Sequence, residues 1–430
     1  MIKPHTLSHA SATNITPEFL HAFDLLENTK NNIFLTGKAG TGKSTFLHYF
    51  REHTQKKIAV VAPTGVAALN VTGQTIHSFF RLKPSFVDVK ALKPTRSRVL
   101  KELELLVIDE ISMVRADVFD GIDQSLRLAR KIDAPFGGVQ LCVIGDLLQL
   151  PPVISREEKS FYSQYYTSPF FFCTQAYAQA DFTTVQFTTI HRQNDGEFID
   201  VLNAIRTGTC DDDELNLLNS RLSPKATPAP GTLVLTTTNA LAEDINSSKL
   251  AKLSSNGRAY AGKLSGDFGM NGARLPAPEE LLLKNGAQVM FVKNDSAGRW
   301  VNGTIGIVHQ MHADSITVSI GSELFEVEAE KWKSIGYDFS EAENKILEKT
   351  LGTYTQFPLT LAWAITIHKS QGKTLERVII DLGTGAFAAG QLYVALSRCK
   401  SLSGIALKQA VTRSDIRCDP EVIAFMRSVC

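Results

Sequence analysis

Short apolar runs punctuate the chain at residues 33–36, 58–61, 105–108 and 141–144, each closed by a small or polar residue. Stretches that read as helices lie between them. Runs without polar alternation mark strands buried on both faces, as in a parallel sheet with helices on either side. A second series follows at 233–235, 361–364, 378–380 and 405–407. The pattern predicts an α/β chain with two parallel sheets, joined near residues 182–187. Between 293 and 353 the texture changes to closely spaced alternating runs (303–308, 315–318, 324–328). Turn pairs such as Asn302–Gly303 and Gly321–Ser322 separate them. Such spacing predicts a small antiparallel barrel inserted into the second unit. The expected units are 1–183, then 184–292 together with 354–430, with 293–353 inserted.

Composition narrows this little. With 43% hydrophobic and 21% charged residues, the chain is neither disordered nor collagen-like. No apolar run reaches the roughly 18 to 20 residues of a membrane-spanning helix. The opening residues carry no apolar leader, so the expectation is a cytoplasmic chain with no membrane partner. The six cysteines are far apart and include no CxxC pair, which predicts free thiols and no zinc site. Lys+Arg 45 against Asp+Glu 44 leaves a net charge of +1, so any polyanion site must be local.

The chemistry begins at Gly37-Lys38-Ala39-Gly40-Thr41-Gly42-Lys43-Ser44, a P-loop pattern between a strand and a helix. Glycines let consecutive backbone N–H groups turn inward around phosphates, and the helix N-terminus adds partial positive charge. Lys43 is expected at the β- and γ-phosphates of ATP and Ser44 on Mg2+. Gly37, Ala39, Gly40, Thr41, Gly42 and Thr45 complete the cradle. A second magnesium carboxylate is expected at the end of a buried strand, where Asp109 stands; Glu110 beside it is the candidate base for the attacking water. No Asn-Lys-x-Asp element for guanine occurs. Gln149, in Gly145-Asp146-Leu147-Leu148-Gln149-Leu150-Pro151-Pro152, is the candidate γ-phosphate sensor. Arg192 and Arg398 are the candidate charge stabilisers from the second half.

Further segments complete a set: 62–68 (APTGVAA), 73–80 (GQTIHSFF), 111–123 and 364–372 (AITIHKSQG). In this order they resemble the Pif family of superfamily 1 group B DNA helicases. The resemblance implies two RecA-like P-loop domains with parallel sheets, a Src-homology-3-like barrel inserted in the second, and a small wedge insertion near 64–80. It implies ATP-driven 5′→3′ translocation on single-stranded DNA and unwinding of forked duplex, with G-quadruplexes or RNA–DNA hybrids as further substrates. Roles in replication, repair, recombination or telomere maintenance follow from the same resemblance, as does a monomer in solution. Two other readings fit the motifs: a translocase that strips proteins without unwinding, and an ATP-toggled nucleic-acid switch.

Relatives often read adenine with a glutamine near the start. Residues 16–19 offer none, and Asn14 is a weak substitute. Gln371 and Gly372 are assigned to the nucleotide. Thr64, Gly65, His77, Ser78, Phe79 and Pro152 are assigned to DNA from the first unit. Thr237, Asn239, Thr366, His368 and Lys369 are assigned to it from the second. Hydroxyls and N–H groups at helix starts suit phosphates, and Phe79 offers a stacking face. Residues 353–413 hold seven Lys or Arg against two acids, a further expected phosphate-binding face.

Overall fold

The computed structural model describes residues 15–193, 195–227, 231–268 and 275–429. The first sheet contains β1 (Asn32–Gly37), β2 (Ile58–Ala62), β3 (Gln74–Thr75), β4 (Leu105–Ile108), β5 (Gln140–Gly145) and β6 (Phe182–Phe187). Its strands run parallel in the order β3-β2-β4-β5-β1-β6. Alternate residues of one strand enter opposite cores. Phe34, Val61, Leu106 and Val143 pack on one face; Ile33, Leu35, Val60, Val107 and Ile144 pack on the other. Period two, with both faces covered, is why these strands read as unbroken apolar runs.

The second sheet begins with β7 (Leu233–Thr236). The chain then leaves it for an antiparallel excursion: β8 (Arg258–Ala261), β9 (Lys263–Gly266), β10 (Glu280–Leu283), β11 (Gln288–Phe291), β12 (Ile305–Met311), β13 (Ser315–Ile320), β14 (Glu323–Glu328), β15 (Glu330–Ser340), β16 (Lys345–Gln356) and β17 (Leu359–Leu361). It returns as β18 (Ala364–Thr366), β19 (Val378–Asp381) and β20 (Ile405–Leu407), which with β7 form a parallel sheet in the order β18-β7-β19-β20.

Four expectations are corrected. Phe182–Phe187 is not the joint between sheets. It pairs with β1 along its whole length, so the first unit extends past 183. The insertion is wider than 293–353: β11 and β17 are neighbours in its five-stranded sheet, and that sheet shares a core with β8 and β10. Residues 361–364 are therefore split between the inserted sheet and the second parallel sheet. Residues 64–80 form no protruding wedge. β3 pairs with β2, and Ile76 and Phe80 are buried in the first core. Finally, the helix Pro420–Val429 belongs with the first unit. Val422 and Met426 enter its core and Phe425 stacks on Phe172 at 4.2 Å.

β15 and β16 form one long hairpin that reaches from the insertion to the first unit. Tyr337 packs edge-on against Phe79 at 5.6 Å and exchanges hydrogen bonds with both backbone groups of Val60, each at 3.0 Å. β3 pairs only with Val61 and Ala62, so the tyrosine hydroxyl serves polar groups of β2 that β3 leaves open. Ion pairs Arg51–Glu348 and Arg98–Glu341 flank it, and Lys57 donates to Asn344 Oδ1 at 2.9 Å.

Lys373 bridges the second unit and the insertion by donating to Asn302. Burial lowers its ammonium pKa to about 8. The unfolded chain, with an ordinary lysine near 10.4, then binds more protons between those values, so this site's contribution to stability rises with pH across that window. Lys373→Met is expected to be more stable than wild type by about 2 kcal/mol at pH 7, with the gap closing toward pH 10. Urea melts across that range check it; a gap independent of pH would disprove the assignment.

Candidate functional site

The carboxyl ends of β1, β5 and β4 lie side by side, with Thr36 level with Gly145 and Ile108 level with Val143. In open α/β sheets ligands sit outside these ends. The P-loop leaves β1 and enters the helix Lys43–His53. Gly40 and Gly42 have φ of +84° and +86°, a left-handed backbone that favours glycine. A Cβ on Gly40 would also stand 2.6 Å from that of Arg192, and the His191 N–H donates to Gly40 O at 2.9 Å. The P-loop is thus held against the segment carrying Arg192. Thr41 Oγ1 donates to Lys38 O. Ser44 and Thr45 are exposed at the helix start.

Lys43 Nζ donates to the carbonyls of Gly37 at 2.6 Å and Lys38 at 2.9 Å. Burial lowers its pKa, against the pull of Asp146, Glu110 and Asp109. Asp109 and Glu110 follow β4 as adjacent carboxylates, the first buried and the second half-buried. Burial, with Glu110 next, raises Asp109 to about 7; burial also raises Glu110, opposed by Lys43 and Arg398. Glu110 has φ of +52°, a sparsely populated conformation for a non-glycine residue. Two crowded carboxylates in the field of Lys43 suit a hard dication that also takes phosphate oxygens. Among the described residues no three His, Cys, Asp or Glu side chains cluster as an all-protein metal cage.

Sequence reasoning gives no role to Asp146, Arg206 or Tyr393, which the structure brings together. Arg206, on the helix Gly196–Thr207, donates to Asp146 Oδ1 at 2.8 Å; Gln149 Nε2 donates to Oδ2 at 3.3 Å. Burial pushes Asp146 up, but Arg206 and Lys43 hold it below the ordinary carboxylate value. Tyr393 Oη donates to Asp146 Oδ2 at 3.4 Å and accepts the Ala39 N–H at 3.1 Å. An amide expected to face phosphate is therefore tied to the second unit. The only local signal was the helix Gln391–Ser397, in which every residue is buried despite Gln391 and Ser397.

Arg192 and Gln193 both donate to Ser397 O, at 3.1 and 3.0 Å. Arg398 is fully buried, donating to Val394 O and Ser397 Oγ. Burial and the nearby Arg192 lower its pKa to about 10. Its charge acts on Glu110 across the cleft. Gln371 and Gly372 were assigned to the nucleotide. Gly372 lies beside Asn70, at the end of the helix Gly65–Asn70.

Among the residues assigned to DNA, the two units repeat one device. Thr64 caps the helix after β2 by accepting the Ala67 N–H, with Gly65 at its first position. Thr238 caps the helix Asn239–Ala251 after β7 by accepting that of Leu241. Asn239 is exposed there, whereas Thr237 is buried and donates to Leu382 O. Thr366 is buried, accepting the Lys369 N–H; His368 is half-buried, and burial lowers its pKa. Ser78 Oγ accepts from Gln74, and burial lowers His77 too. Pro152 is buried. Tyr337 covers one side of Phe79.

The expected basic face over 353–413 is largely neutralised. Lys400, Lys408 and Arg413 pair with Glu376, Asp381 and Asp212, and Arg398 is internal. Thr16 caps the helix Pro17–Asn28, Phe19 is core, and Glu18 accepts from Thr188; Asn14 lies outside the described residues.

A sequence profile described as PIF1-like helicase matches residues 17–216. The ATP-dependent DNA helicase Pif1 of Bdellovibrio bacteriovorus is 35% identical over 424 residues, covering 96% of this chain and 92% of that one. Bacteroides sp Pif1 in complex with ADP-AlF4 superposes with a TM-score of 0.88 at 39% identity, over 97% of both chains. Bacteroides Pif1 bound to ssDNA gives 0.71 at 40% identity over the same shares. With its two parallel sheets and a nucleotide cleft between them, the chain belongs to the PIF1-like family of ATP-dependent DNA helicases.

Proposed function

We propose that this enzyme translocates 5′→3′ on single-stranded DNA and opens forked duplex, with magnesium held by Ser44 and Asp109. The observation that carries the reading is the cleft itself. Lys43, Asp109 and Glu110 come from one unit, and Arg398, Arg206 and Tyr393 approach them from the other.

Gly40, Thr41 and Gly42 present backbone N–H groups to the triphosphate, and Lys43 exchanges its two carbonyls for phosphate oxygens. Magnesium, held by Ser44 and Asp109, would supply charge neutralisation for the phosphates. Glu110 takes the proton of the attacking water. Arg192 and Arg398 stabilise charge on the transferred group; an arginine in this role is worth about 10³ to 10⁵ in rate. Gln149 and Asp146 lie between phosphate and second unit, so a change at the γ-position is felt by Arg206 and Tyr393. Closure then shifts the grip at Thr64 and Gly65 relative to that at Asn239, Thr366, His368 and Lys369.

DNA engagement also moves the hairpin of β15 and β16. Tyr337 must leave Phe79 for a base to use that face. Bacteroides Pif1 superposes at a TM-score of 0.88 with ADP-AlF4 and 0.71 with ssDNA, so that relative's chain is arranged differently in the two complexes. Opening one base pair costs about 1.4 kcal/mol, well within one ATP cycle. Unwinding of matched duplexes with a 5′ or a 3′ single-stranded tail tests the direction. Only the 5′-tailed substrate is expected to open; strand release from the 3′ tail alone would reverse the assignment.

A further inference from the structure

The first unit makes two excursions from its sheet. One spans 81–97, between the helix Ile76–Phe80 and the helix Arg98–Glu102, with one short turn of helix at Val89–Ala91. Over residues 81–101 it and that helix carry seven Lys or Arg against a single acid, Asp88, in a chain whose net charge is +1. All seven are exposed. Arg98 pairs with Glu341; the other six meet no carboxylate within ion-pair distance among the described residues.

The other excursion, 153–167, brings an aromatic group onto the first. The Phe86 ring lies 5.0 Å from Phe161 and 5.1 Å from Tyr165. Phe161 is 44% exposed and Tyr165 59%. Beneath them the group is anchored. Tyr162 is buried with the Arg115 guanidinium over its ring at 5.2 Å. Arg115 binds Asp117 through two nitrogens, and Asp117 accepts the Val87 N–H at 2.8 Å. Tyr166 donates to Asp120. His77, assigned to DNA, lies within the field of the same Arg115–Asp117 pair. Rigid rings facing water inside a cationic rim suit a polyanion that carries flat bases.

We propose that Phe161 and Tyr165, beside the basic 81–101 segment, form a nucleobase-stacking platform for the first unpaired bases at a duplex junction. The proposal rests on the DNA-unwinding reading above and adds a site outside both DNA grips. Cations of this segment hold phosphates while the two rings take over stacking that the opened bases lose. A platform at the junction favours the opened state and slows reannealing behind the advancing fork.

The test uses the full chain and a forked duplex with 2-aminopurine at the first unpaired position. Wild type is expected to quench the probe on binding. The double variant Phe161→Ala/Tyr165→Ala is expected to lose most of that quenching and to bind the fork about tenfold more weakly, a factor worth 1.4 kcal/mol. Its ATP turnover on oligo-dT should stay within twofold of wild type, which also shows that it folds. Phe161→Trp should keep the quenching. Unchanged quenching and fork affinity in the double variant would overturn the platform and leave the rings as a protein-docking patch. So would an equal loss on oligo-dT and fork. The helicase reading itself fails differently: wild type would then show no oligo-dT-stimulated turnover.

Discussion

Lys43→Ala is expected to reduce ATP turnover below detection, by more than about 10³-fold, while single-stranded DNA binding survives. The ammonium now serves the Gly37 and Lys38 carbonyls and sits in the field of Asp146, Glu110 and Asp109. Its removal leaves the phosphates facing three carboxylates with one cation fewer, so the variant loses both nucleotide affinity and transition-state stabilisation. The proposed DNA grips at Thr64 and Asn239 lie on other helices and are left in place. Stopped-flow phosphate release and fluorescence anisotropy with labelled oligonucleotide measure the two properties separately. Strand separation by the variant would remove Lys43 from the mechanism.

Glu110→Gln separates binding from chemistry. The amide keeps the shape of the carboxylate and removes its ability to take a proton, so turnover is expected to fall by about 10²- to 10⁴-fold. Nucleotide affinity should hold or rise. Glu110 is a like charge beside both Asp109 and the triphosphate, and its loss also lets Asp109 fall from about 7 toward ordinary values. A DNA-bound, ATP-loaded and stalled complex is the expected state, visible as retained nucleotide after gel filtration. Near-normal hydrolysis would transfer the base to another group, and Asp146 would be the first to examine.

The parts of this molecule legible in its sequence are those whose signal is local. β1, β2, β4 and β5 are continuous apolar runs, and the P-loop spacing lies within eight residues. β6 was harder because it is an edge strand whose burial alternates, so it resembles a connection more than a core strand. The insertion's start was missed because β8 to β10 are four residues each and mostly exposed. The long hairpin of β15 and β16 carries apolar residues on a face that finds its partner only in the other unit. Contacts across the cleft leave no local trace at all. Tyr393 meets Ala39 from 354 positions away, and Arg206 meets Asp146 from 60. Charge misled in the opposite direction: three cations of the basic 353–413 stretch are ion-paired and Arg398 is internal, whereas in the 81–101 stretch, which lies outside every motif above, only Arg98 is ion-paired among the described residues.

Helices near both ends of the described chain, Pro17–Asn28 and Pro420–Val429, pack on the first unit. The second unit is therefore joined to it by two covalent crossings, one leaving β6 and one returning through the residues before Pro420. A body on one tether can swivel about any line through it. A body on two keeps rotation about the line between its attachments as its freest motion. Such a joint converts opening and closing of the cleft into a stroke of fixed direction, much as a door leaf follows its pins.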